Sequence, residues 1–131
     1  MPENICGGFT FYGYIPDGSN KLHLGIVLGT KDEYLKYCYC TSKSSRIVNE
    51  SDFIKLPANK MSKHFLNPQD TYIFISSHYI IDMLVITFKS KLGSEYEEKP
   101  PIDQDISILS KIRNSDNLSE RFKNDFFKFL E

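Results

Sequence analysis

The stretch "KLHLGIVLGTKDEYLKYCYCTSK", residues 21–43, decides the fold. Residues 22–29 form a run of apolar residues spaced by Gly25 and Gly29, and residues 34–41 alternate between two sets of side chains. Both runs are rich in residues that suit a pleated, half-buried surface. The polar "TKDE" between them turns the chain. In the second run, alternation places Leu35, Tyr37, Tyr39 and Thr41 on one face and Tyr34, Lys36, Cys38 and Cys40 on the other. Lys21 and His23 enter the first strand, and Thr41, Ser42 and Lys43 leave the second. His23 faces opposite to Leu22 and Leu24. Consecutive strands that fold back therefore bring an imidazole and an amine beside hydroxyls and a second amine.

The rest of the chain follows from this hairpin. Residues 9–14, "FTFYGY", form an aromatic strand before the turn-rich "PDGSNK". A short strand is expected at 52–56, a long irregular connection at 57–70, and strong strands at 71–76 and 83–89. "SHYIID" (77–82) reads equally as a helical turn or as part of a strand. After the double proline at 100–101, Ile102, Ile106, Leu109 and Ile112 recur at helical spacing. Asn117 with Glu120 resembles a capping box, and Phe122, Phe126, Phe129 and Leu130 form a second apolar stripe. The whole chain, 1–131, reads as a single α+β domain: a strand-rich part over about 7–92 and a helical part over about 101–131. Short antiparallel strands at this spacing are expected to curl into a small barrel, which removes exposed edges.

Composition narrows the function. A formal net charge of −1 excludes a general nucleic-acid coat. The charge is uneven, however: between positions 36 and 64, Lys36, Lys43, Arg46, Lys55, Lys60 and Lys63 face only Glu50 and Asp52. The three cysteines, Cys6, Cys38 and Cys40, make no disulfide framework and read as free thiols in a reducing cytosol. No segment has the make-up of a signal peptide or a membrane span. No phosphate loop, zinc-protease motif or nucleophile elbow is present, and His23, His64 and His78 lack metal-ligand spacing, so no cofactor or metal is expected.

What remains is a site for an anion. Thr41, Ser42, Ser44 and Ser45 with Lys43 and Arg46 supply hydroxyl donors and two cations, a set that suits a phosphodiester. Cleavage of RNA without a metal needs a base for the 2′-hydroxyl, an acid for the leaving 5′-oxygen, and donors for the charge that develops. A His, a Lys and a Ser or Thr on neighbouring strands supply all three. The aromatic residues Tyr12, Tyr14 and Tyr37 are candidates for stacking on unpaired bases.

The order of pieces adds to this: "HLGIVLG", a strand ending in "CTSK", a long loop, "DTYIFIS", a strand reaching "KLG", and a closing "LSERFKNDFFKFL". That order resembles the PemK/MazF-like toxin family. The resemblance implies a small SH3-like antiparallel β-barrel with C-terminal helices and a metal-independent endoribonuclease that cleaves single-stranded RNA. It further implies a cytoplasmic homodimer inhibited by a cognate antitoxin protein. Where the family pattern has Arg followed by Pro, this chain reads "KLHLG". By position, the resemblance assigns His23 to acid–base chemistry, Lys21 to phosphate stabilisation, and Thr41 or Ser42 to orientation of the phosphate. Lys43, Arg46, Lys60 and Lys63 fall to RNA binding. The alternative is a non-catalytic barrel of the same kind that binds RNA or a protein partner. A third reading is an assembly protein whose interface is built by Phe126 and Phe129.

Overall fold

The structure, a computed structural model, describes residues 5, 7–14, 22–41, 53–56, 71–75, 80–99, 112, 114, 120 and 121. Seven strands and one short helix lie within them: β1 (Thr10–Tyr14), β2 (Leu22–Lys31), β3 (Tyr34–Thr41), β4 (Phe53–Leu56), β5 (Thr71–Phe74), β6 (Ile81–Leu84), α1 (Val85–Lys91) and β7 (Glu97–Lys99). All strand pairings are antiparallel. The order is β4-β5-β3-β2-β1-β7, and β6 pairs with β3 off that path. The described strands thus run from β4 to β7 as an open sheet and do not close into a barrel.

The β2–β3 hairpin is the expected one. Lys31 pairs with Tyr34 across a two-residue turn. Its first residue, Asp32, takes φ 57°, a left-handed conformation that Asp tolerates better than most residues. A register shift between Val27 and Gly29 makes Leu28 an extra residue, and such a bulge bends and twists the strand that carries it. β3 shares its other edge between two partners. Tyr34–Tyr37 pair with β6, and Cys40 and Thr41 pair with β5. The β3 alternation is also as expected, with a difference in the second half: Cys38 and Cys40 are as buried as Tyr37 and Tyr39. The middle of the sheet is closed off from water on both faces.

One face carries an aromatic core. Phe11 sits at its centre, with ring centroids 5.1 Å from Tyr37, 4.9 Å from Phe88 and 4.7 Å from Tyr96. The Tyr37 and Phe88 rings stand nearly perpendicular to it, which satisfies the quadrupoles of both partners, and the Tyr96 ring is tilted at 39°. Gly25, opposite Phe11 in the β1–β2 register, makes the arrangement possible: any Cβ there would overlap the Phe11 ring. Gly13 does the same for the Tyr96 ring. A glycine covered by an aromatic ring from a neighbouring segment recovers the packing that the missing side chain gives up.

One expectation is corrected here, and one strand is new. Residues 83–89 are not one strand: Met83 and Leu84 close β6, and the rest lies in the helix α1. The run Val85-Ile86-Thr87 is β-branched and a poor helix former, and no side chain caps the helix. What outweighs propensity is Phe88, fully buried and 6.0 Å from Phe9, 4.9 Å from Phe11 and 5.3 Å from Tyr96. Burying that ring is worth about 1.5–3 kcal/mol, enough to offset a propensity deficit of at most about 2 kcal/mol over three residues. Lys89 and Lys91 in the last turn also favour the helix dipole. β7, in "EYEEKPP", is a strand with no signal in the sequence. A tight turn through Gly93 (φ 85°) returns the chain, with Gly93 N–H donating to the Tyr96 carbonyl at 2.8 Å. This places Tyr96 over Gly13 and lets Glu97–Lys99 pair with β1. Charged residues suit such a sheet edge.

Of the stretch expected to be helical, 101–131, the described residues include Ile112, Glu120 and Arg121, whose backbone is helical, and Ile112 is fully buried. Among the described residues no helix is long and apolar enough to cross a membrane.

Candidate functional site

The strands that build the aromatic core also build a polar row one step further along. On the core face, Tyr39 lies opposite Gly25, and Phe53 opposite Phe74. Tyr39 and Phe74 touch, with ring centroids 5.2 Å apart. Two residues on, the same face carries Gly13 opposite His23, Thr41 opposite Tyr72, and Tyr72 opposite Lys55. His23 and Thr41 lie at the open end of the β2–β3 hairpin, because His23 stands two before Gly25 and Thr41 two after Tyr39. The row thus reads Gly13, His23, Thr41, Tyr72, Lys55 across five strands. Its exposure rises in that direction: His23 and Thr41 are each 6% exposed, Tyr72 is half-buried and Lys55 is exposed.

His23 is held firmly. Its Nδ1–H donates to the Cys40 carbonyl at 2.9 Å. A carbonyl only accepts, so Nδ1 carries a proton, and in the neutral ring Nε2 is then the acceptor. The ring also stands edge-to-face with Tyr39 at 5.4 Å. Together these contacts fix the ring plane and the tautomer, which is what a general base needs from its support.

His23 and Thr41 thus lie at the same end of the hairpin, in the register continued from Gly25 and Tyr39. Lys21, Ser42, Lys43, Arg46, Lys60 and Lys63 lie outside the described residues. Sequence reasoning missed Tyr72 and Lys55 as members of the row. Their alternation with Phe74 and Phe53 was visible, but not the pairing of β5 with both β3 and β4. The stacking candidates divide. Tyr37 is fully buried in the aromatic core and is excluded as a base platform. Tyr12 and Tyr14 are exposed, but on the opposite face, where the Lys99 ammonium lies 5.9 Å from the Tyr12 ring centre.

The cysteines on that opposite face are inert. Cys38 and Cys40 are free and buried. Burial pushes the Cys38 thiol up to about 12 and raises the Cys40 thiol well above its ordinary value, the neighbouring Cys38 adding to the effect. A thiol that stays protonated is neither a nucleophile nor a ready metal ligand. Among the described residues, no three His, Cys, Asp or Glu side chains gather as metal ligands.

No family model, no curated protein and no solved structure matches this chain. The functional reading therefore rests on the row itself.

Proposed function

We propose that the chain is a metal-independent endoribonuclease of the PemK/MazF-like kind, acting on single-stranded RNA. In this reading the bent sheet is the described part of a small SH3-like barrel, and the polar row is the floor of the RNA groove. The observation that carries the proposal is the His23 imidazole, locked at 2.9 Å to the carbonyl of Cys40, the residue before Thr41 on β3. Nε2 of His23 takes the proton of a ribose 2′-hydroxyl. The 2′-oxygen attacks phosphorus, the bond to the 5′-oxygen breaks, and the leaving oxygen takes a proton from a water molecule. Thr41 or Ser42 orients the phosphate, and Lys21 stabilises the added charge. The products are a 2′,3′-cyclic phosphate and a 5′-hydroxyl. The place of action is the cytoplasm. The functional unit is a homodimer, and a cognate antitoxin protein covers the groove.

The deep setting of His23, at 6% exposure, favours a second reading: the same row binds RNA or a protein partner without cutting. Incubating the purified protein with a long RNA in EDTA separates the two. Fragments ending in a cyclic phosphate support the nuclease. Retarded but intact RNA leaves only the binding module.

A further inference from the structure

We infer that Cys40 is a positioning residue for His23: its side chain, packed on the opposite face of the sheet, sets the backbone carbonyl that holds the imidazole.

The inference rests on the reading of His23 as the general base and names what keeps that base in place. Three observations carry it. The first is the double engagement of one residue. A strand residue sends its side chain to one face, while its carbonyl lies near the plane of the sheet. The Cys40 carbonyl accepts the His23 Nδ1–H at 2.9 Å. The Cys40 thiol lies on the face that carries Ile73, its partner on β5, and not on the face of Tyr39 and His23. Cys40 thus links the imidazole to packing on the far side of the sheet.

The second is the tightness of that packing. Cys40 is 4% exposed, and Ile73 is fully buried. Burial keeps the thiol protonated, so it packs as a small apolar side chain. An interior of protein density does not absorb an added methyl group; neighbouring side chains and backbone shift instead.

The third is register. The pairing of β2 with β3 ends at Gly25 and Tyr39. His23 and Cys40 lie just beyond it, where Cys40 pairs with Ile73 on β5. The β2–β3 ladder therefore does not alone fix the distance from His23 to the Cys40 carbonyl, and the packing of Cys40 beside Ile73 contributes to it. Cys38 makes a matched comparison. It lies on the same strand and face, is fully buried, and pairs with Ile26 inside the ladder. The His23 ring bonds the carbonyl of Cys40, not that of Cys38.

The test is nitrogen NMR of the His23 ring at about pH 8.5, assigned by its loss in His23→Gln and run beside single-turnover cleavage of a single-stranded RNA in EDTA. The parent is expected to carry its ring proton on Nδ1. Cys40→Val adds bulk behind the carbonyl. It is expected to move that proton partly to Nε2 and to lower the cleavage rate about tenfold at unchanged RNA affinity. Cys40→Ser, which keeps the size of the side chain, is expected to match the parent, and so is Cys38→Val, which adds the same bulk two residues away. Circular dichroism checks that each variant is folded. If Cys40→Val does not fold, Cys40→Ala, which empties the space instead of overfilling it, carries the same expectation. A parent-like ring signal in the Cys40 variants overturns the inference, and so does an equal change in Cys38→Val. If the parent cuts no RNA, the nuclease reading falls, and the ring signals alone decide whether Cys40 positions His23.

Discussion

Two rows of side chains lie next to each other on one face of the same strands, and their chemistry is opposite. One joins Gly25, Tyr39, Phe74 and Phe53; the next joins Gly13, His23, Thr41, Tyr72 and Lys55. A strand advances about 3.3 Å per residue, so the step between rows is under 7 Å. Within that step the surface changes from a sealed aromatic core to a polar rim. The first row makes the second possible. It holds the backbone and, through Tyr39 and Phe53, two of the rings that orient His23 and Tyr72. Rigid apolar packing directly beneath a polar rim is how a sheet presents reactive groups without spending their own freedom on staying in place.

The contrast breaks most visibly when the apolar support is removed. Phe88→Ala deletes a fully buried ring that touches Phe9, Phe11, Tyr37 and Tyr96, and is expected to lower stability by about 3–5 kcal/mol. Urea unfolding measures this directly. A loss below about 1 kcal/mol would mean that α1 does not plug the core.

Gly25→Ala attacks the same core by overfilling. The new methyl meets the Phe11 ring, and the expected loss is about 1–3 kcal/mol. Pairing it with Phe11→Leu sharpens the result: a double-mutant cycle should show the two changes costing less together than their sum.

The opposite face of the sheet has a pH signature. Cys38 is pushed up to about 12 from an unfolded value of 9.0 by burial. The folded chain keeps this proton where the unfolded chain releases it. The stability it provides is whole below pH 9 and declines as the pH rises toward 12, by up to about 1.4 kcal/mol per pH unit for the one thiol. Denaturant midpoints between pH 8 and pH 11 should fall accordingly, and less steeply in Cys38→Ala. Peptide mapping after treatment with iodoacetamide at pH 8 should find Cys38 and Cys40 unlabelled until the protein is unfolded.

The smallest effect concerns Tyr37. Its hydroxyl is enclosed in the core beside Tyr96 without a well-formed hydrogen bond among the described residues, and burial, with Tyr96 adding to it, raises the phenol far above its ordinary value. An unpaired buried hydroxyl costs about 1–3 kcal/mol. Tyr37→Phe should therefore raise stability by about 1 kcal/mol. A loss of similar size would reveal a bond that the hydroxyl makes.

How much of this was legible in the sequence follows from the kind of signal each part leaves. The β2–β3 hairpin is written in local alternation and a turn, so its strands and the placing of His23 and Thr41 at one end of it could be read directly. α1 could not, because Val85-Ile86-Thr87 speaks for a strand and only the distant pocket for Phe88 overrules it. β7 is three charged residues long and makes sense only once Tyr96 is seen covering Gly13. Gly25 was read as a strand glycine of no phosphate loop, but its reason, the Phe11 ring, is a cross-strand fact. Tyr72 and Lys55 were hidden for the same cause: membership in the row depends on which strands pair, and β3 divides its edge between β5 and β6.

The central claim is that His23 does chemistry on RNA at the rim of that core. It is tested most directly by single-turnover cleavage of one single-stranded RNA in EDTA, comparing the parent with a folded His23→Ala variant. The account predicts cyclic-phosphate products from the parent and a rate lower by about 10²–10⁴ in the variant, with RNA affinity retained. Equal rates from the two proteins would contradict it.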